Sequence, residues 1–170
     1  MEEIPPSVSR EEWETLTDEQ RRLVGRIYEE FEKFVDKLEH RVLSWAELFL
    51  EAEELSKRVG VQCGVHHGRA QHAEVIDNVE RNYEVERGIG YRLKTGFGVY
   101  VVRIRDKPIG FRCVIGRNRF GREVAVRVEV PVDAMSYSVA IYGMAGRAQE
   151  NFYWVEEVKK EKLRVWLEEW

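Results

Sequence analysis

Between Arg87 and Arg127 eleven basic residues (Arg87, Arg92, Lys94, Arg103, Arg105, Lys107, Arg112, Arg117, Arg119, Arg122 and Arg127) meet only two acidic ones, Asp106 and Glu123, a local charge of +9. A guanidinium is a planar fork that matches phosphate oxygens, and its flat cation also stacks on rings. Tyr91, Phe97, Phe120 and Tyr142 lie in or beside the same stretch. Cations that follow a sugar-phosphate backbone, together with flat side chains that take unpaired bases, are the equipment for holding single-stranded nucleic acid. The segments on either side carry −10 and −3, so the chain as a whole is acidic at −4. A positive island in an acidic molecule focuses its field on one face and attracts polyanions there.

A second group is Cys63, His66, His67 and His72, within ten residues of one another. Thiolate and imidazole together can hold zinc, but a structural zinc site normally shows two ligand clusters, and the second is missing. His66 or His67 beside Arg69 or Lys94 could instead act as general base in cleaving RNA. A loop with exposed or capping histidines is the plainer reading. No phosphate-binding loop, nucleophile elbow or His-Glu-x-x-His helix occurs, and the glycines from Gly88 to Gly98 do not follow a strand and open a helix. No cofactor is expected. Glu123 and Glu129 share the basic side of one predicted strand with Arg127, which is too little to define a metal nuclease.

The elements that must position these groups follow from spacing. The 170 residues, 44% hydrophobic, are enough for one core and one domain. The apolar runs are too short to span a bilayer and the first residues do not form a leader, so a cytoplasmic protein without a membrane partner is expected. Two cysteines are read as reduced thiols. Charged residues make up 34% of the chain while Asn and Gln together number eight, a balance typical of proteins from hot environments.

Residues 1–8 read as an extended lead-in and residues 9–84 as mainly helical. Ser9 with Glu12 and Thr17 with Gln20 are capping-box starts, and Ser44 with Glu47 offers a third. Val24, Tyr28, Phe31, Val35, Leu38, Val42, Trp45 and Phe49 recur at spacings of four and three, which predicts helices over 18–41 and 45–58, ended by Gly60. A fourth helix is predicted over 69–84. Beyond Gly90 the period becomes alternating, predicting strands over 98–105, 109–117, 122–130 and 137–143, joined by short turns into a meander. A last amphipathic helix is predicted over 149–169. The expected fold is α+β: N-terminal helices on a four-stranded antiparallel sheet spanning 98–143, closed by a C-terminal helix.

Strand parity places Ile109, Phe111, Cys113 and Ile115, with Val124, Val126, Val128 and Val130, on a face for helices to cover. The opposite face would gather Arg103, Arg105, Arg112 and Arg127. Phe120 would sit at the tip of a hairpin carrying Arg117, Arg119 and Arg122. In element order, with Arg103, Arg112 and Phe120 on a small sheet and a helix beginning near Gln149, the chain resembles the ThermoDBP family of archaeal single-stranded-DNA-binding proteins. The resemblance implies DNA protection with little sequence preference, a cleft between helices and sheet, and a homodimer formed through a C-terminal coiled coil. The spacing Val155, Val158, Leu163, Trp166 and Trp170 departs from a heptad series, so a helix folded back on its own sheet is the alternative.

The expected function is therefore low-specificity binding of single-stranded DNA or RNA. Arg103, Arg105, Arg112, Arg117, Arg119, Arg122, Arg127 and Lys94 would hold phosphates. Tyr91, Phe120 and Tyr142, with Trp45 or Trp13, would take bases. The alternatives are a nuclease-like enzyme built on His66, His67 and His72, a helical protein-protein interaction module, and an internal ion-pair scaffold in which helix glutamates neutralise the arginines.

Overall fold

The computed structural model describes residues 3–78, 97–143 and 146–170. The three helix starts form as their capping residues predict. Ser9 and Glu12 cap each other at α1 (Arg10–Glu14), and Thr17 and Gln20 do the same at α2 (Asp18–Val35). At α3 (Trp45–Val59) the Ser44 hydroxyl accepts the Glu47 N–H, and Gly60 ends the helix at φ 77°. Each such bond satisfies a donor that a helix end leaves unpaired. Helix α2 stops before the expected residue 41. His40 turns the chain at φ 61°, donates its N–H to Val155 O at 2.8 Å, and Arg41 O accepts the Val155 N–H at 3.0 Å. The segment thereby joins a sheet edge as β1 (Val42–Ser44).

That sheet is antiparallel with seven strands, not four, and no helix closes it. After β1 come β2 (Cys63–His67), β3 (His72–Asn78), β4 (Phe97–Arg117), β5 (Glu123–Gly143), β6 (Gly146–Val158) and β7 (Arg164–Glu169). The four predicted strands merge into two, β4 and β5, of 21 residues each. Asp106-Lys107-Pro108 is thus a bulge within one strand instead of a turn between two. The described part of the predicted fourth helix is β3, and the predicted C-terminal helix is β6, a 3-10 turn at Lys160–Lys162, and β7.

The order is β1-β6-β5-β4-β2, with β3 also beside β4 and β7 also beside β5. Two long central strands leave rows of backbone donors and acceptors on both flanks, and shorter segments satisfy them in succession. The exchange of flanking strands falls at Pro108 and Pro131, which are directly opposite each other. A residue without an N–H fits where the ladder changes partner.

The apolar parity holds. Ile109, Phe111, Cys113, Ile115 and the four valines of β5 are buried with Val24, Ile27, Phe31, Val35 and Leu38. Phe111 meets Phe31 and Phe34 edge-on, with centroids 5.9 and 5.1 Å away. Phe49, the last member of the predicted seam, is exposed. Cys63 and Cys113 face each other across β2 and β4 and are joined in a disulfide, which corrects their reading as reduced thiols. No described helix is long and apolar enough to cross a membrane.

The bulge is clamped by charge. Asp106, at φ 52°, donates its N–H to Asp133 Oδ1 at 3.0 Å. Lys159 Nζ bonds Asp106 Oδ1 and lies 3.3 Å from Asp133 Oδ1. The bond from Lys159 holds the Asp106 carboxyl below the usual carboxylate range, and Asp106 in turn raises the Lys159 ammonium. A depressed carboxyl contributes stability above its unfolded pKa and loses it as pH falls through the folded one. Lys159→Met should therefore lower stability by about 1 kcal/mol at neutral pH, a value limited by solvent screening. The gap from the parent should close as melting is followed down through the acid side of pH 4. A gap that stayed constant to pH 2 would contradict the clamp.

Candidate nucleic-acid interface

The uncovered face of the sheet is a grid set by register. One transverse row runs His66, Gly110, Glu129, Arg164 across β2, β4, β5 and β7. The next is Gly64, Arg112, Arg127, Trp166, and the third is Val114, Ala125, Glu168. Trp170 follows, exchanging backbone bonds with Glu123 at 3.0 and 3.2 Å. Gly64, Gly110 and Ala125 are small, so the large side chains of neighbouring strands lean across them.

Arginine and tryptophan pair on this face. The Arg112 guanidinium lies 4.9 Å from the Trp170 ring centre, and Arg127 lies 5.5 Å from that of Trp166, which Arg164 also approaches at 6.0 Å. Trp170 is 55% exposed. Glu168 sits between the two central arginines, accepting from Arg112 Nε at 2.8 Å and lying 3.1 Å from Arg127 Nη1. A carboxylate here occupies the position that a phosphate would take between two guanidinium groups. At the other end of the face, Glu129 holds His66 Nε2 at 3.1 Å and accepts the Trp166 indole N–H at 3.0 Å.

The structure brings together only part of the predicted site. Arg112 and Arg127 are direct cross-strand neighbours. Arg103 and Arg105 lie beyond the bulge, opposite Glu74 and His72 of β3, and Arg105 is seven residues or roughly 20 Å along the strand from Arg112. In the hairpin, Phe120 is 73% exposed, and the three arginines are engaged with the protein itself. Arg117 donates to Gly121 O at 2.7 Å and is 3.8 Å from Glu123. Arg119 donates to Leu16 O at 3.0 Å and is 3.5 Å from Asp18, and Arg122 reaches Glu169 at 2.7 Å. Tyr142 is placed on β5 opposite Arg147. Tyr91 and Lys94 lie outside the described residues.

The histidine cluster is dispersed. His66 is on the open face. His67 points the other way, its ring 4.3 Å from that of Trp45, and burial with nearby Lys107 and His66 lowers its pKa. His72 is on β3, and the Cys63 sulfur is spent in the disulfide. Among the described residues no three His, Cys, Asp or Glu side chains are grouped to hold a metal ion.

Sequence reasoning missed Trp166, Trp170, Arg164 and Glu168 because a helix had been drawn through them. The signal was present: Leu163, Val165 and Leu167 alternate with Arg164, Trp166 and Glu168, the period of a strand. No family model, no curated protein and no solved structure matches this chain.

Proposed function

We propose that this protein binds single-stranded nucleic acid on the open face of its sheet, with little sequence preference. The observation that carries the reading is the row of guanidinium and indole groups, Arg112 with Trp170 and Arg127 with Trp166, on a face that no described helix covers. The indoles would take unpaired bases, and the guanidinium groups would exchange Glu168 for a backbone phosphate. Phe120 at the hairpin tip lies within the same half of the molecule. This is the class of activity that the resemblance to the ThermoDBP family implies. Tryptophan fluorescence titrated with a dT oligomer, an rU oligomer and a duplex tests it. Single strands should quench, and log affinity should fall with log salt by about 0.7 per phosphate neutralised. Absence of quenching, or binding indifferent to salt, would remove the reading.

A second reading, the ion-pair scaffold, is favoured by the carboxylates within 4 Å of Arg112, Arg117, Arg119, Arg122 and Arg127. One substitution separates the two. Glu168→Gln frees two guanidinium groups, so a binder should gain affinity for dT several-fold, with a salt slope steeper by about 0.7 for each added phosphate contact. A scaffold should bind no better than before and lose about 1 kcal/mol or less of stability, since these pairs are partly exposed.

A further inference from the structure

We propose that the row His66, Glu129, Arg164 is a catalytic site that cleaves RNA at the phosphodiester, an activity additional to binding and resting on the reading of this face as a single-strand surface. His66 and Glu129 belong to strands that are not adjacent, with β4 between them. They meet because the intervening residue is Gly110, where a Cβ would lie 1.7 Å from Val128 O and no side chain can stand. The imidazole crosses β4 to place Nε2 at 3.1 Å from Glu129 Oε2. Glu129 is itself fixed: its other oxygen accepts the Trp166 indole N–H, and its side chain is only 14% exposed.

A carboxylate held in this way takes an N–H from Nε2 and leaves the Nδ1 lone pair facing outward, the tautomer a general base requires. Among the described residues nothing hydrogen-bonds Nδ1. Beside Glu129 a cleft of about 270 Å³ is lined by Pro108, Pro131, Lys162 and Arg164. Arg164 is exposed, and neither it nor Lys162 has a carboxylate within 4 Å among the described residues. Two unspent cations next to an oriented base define a place for a phosphodiester.

The step is a transesterification. His66 Nδ1 takes the ribose 2′-hydroxyl proton as O2′ attacks phosphorus. The new O2′–P bond replaces the P–O5′ bond, and the departing 5′ oxygen takes a proton from solvent at the open end of the cleft. The products are a 2′,3′-cyclic phosphate and a 5′-hydroxyl, and His66 returns its proton to water. Arg164 and Lys162 hold the charge that builds on the non-bridging oxygens. DNA has no 2′-hydroxyl and would be bound but left whole.

End-labelled rU and dT oligomers of equal length, incubated with the full chain in EDTA, test this. The rU strand should be cut to cyclic-phosphate ends and the dT strand should stay intact. His66→Asn should reduce cleavage by about 100-fold or more, the scale of a lost general base, with melting and dT affinity unchanged. Glu129→Gln, at the positioning residue, should lower kcat with KM for rU unaltered. If dT is bound and rU survives, or if His66→Asn cuts as fast as the parent, the catalytic inference is overturned and the binding reading stands. If rU is cut in a His66-dependent manner while dT is not bound, the binding reading fails and the catalytic row remains.

Discussion

Replacing both Trp166 and Trp170 with alanine should weaken binding of a dT oligomer by roughly 30-fold at least. Each stacked base contributes about 1–3 kcal/mol by alanine substitution, so two platforms give about 2–6 kcal/mol. The indoles are placed for this. They lie on β7, the flanking strand of the hairpin half, and each already has an arginine near its ring. Phenylalanine at both positions should restore most of the affinity, because a flat ring is what the base requires. The same pair of alanines leaves Arg112, Arg127 and Arg164 in place, so the salt slope should change little while the affinity collapses. Loss of affinity together with loss of slope would mean that the tryptophans act by positioning the arginines and do not stack.

The second large effect concerns stability. Closing the 50-residue separation between Cys63 and Cys113 restricts the unfolded chain by about 4 kcal/mol on the loop-entropy account. Reduction, or the double change to serine, should lower the unfolding free energy by that order, read as a lower denaturant midpoint. The bridge ties β2, an outer strand, to central β4. His66 is carried on β2, so a reduced sample should also lose RNA cleavage before it loses dT binding, which depends on β5 and β7. An unchanged midpoint in reductant would show that the packing of β2 against α3 suffices without the bridge.

Much of the local structure was legible. Ser9, Thr17 and Ser44 announced helix starts because capping is satisfied within four residues. Ile109 to Ile115 and Val124 to Val130 announced a buried face because strand parity is local. The remainder depended on partners distant in sequence. Val155, Val158, Leu163, Trp166 and Trp170 fit helical spacing over their full length. Over six residues, Arg164–Glu169 fits a strand equally well, and it was the open flank of β5 that decided. In the same way the free edge of β6 drew Arg41 to Ser44 out of a helical pattern. The disulfide and the His66–Glu129 pair were invisible for a related reason: both are cross-strand neighbours created by the register on β4. Of the arginines named from sequence, Arg112 and Arg127 came together because their strands pair directly. Arg119 went to the opposite side, since Thr15 and Leu16 present carbonyls to its backbone and side chain.

The facing prolines at mid-length give this hairpin a built-in crease. With neither Pro108 nor Pro131 able to donate, the ribbon is in effect two panels sharing only their covalent chains and side-chain packing at the fold line. The panel that bears the tryptophans has its own flanking strands and its own disulfide, so the outer panel can drift in sequence, lengthen or breathe without retuning the grid beneath the ligand. Amide exchange should register the division as two protection classes along β4 and β5, changing at residues 108 and 131.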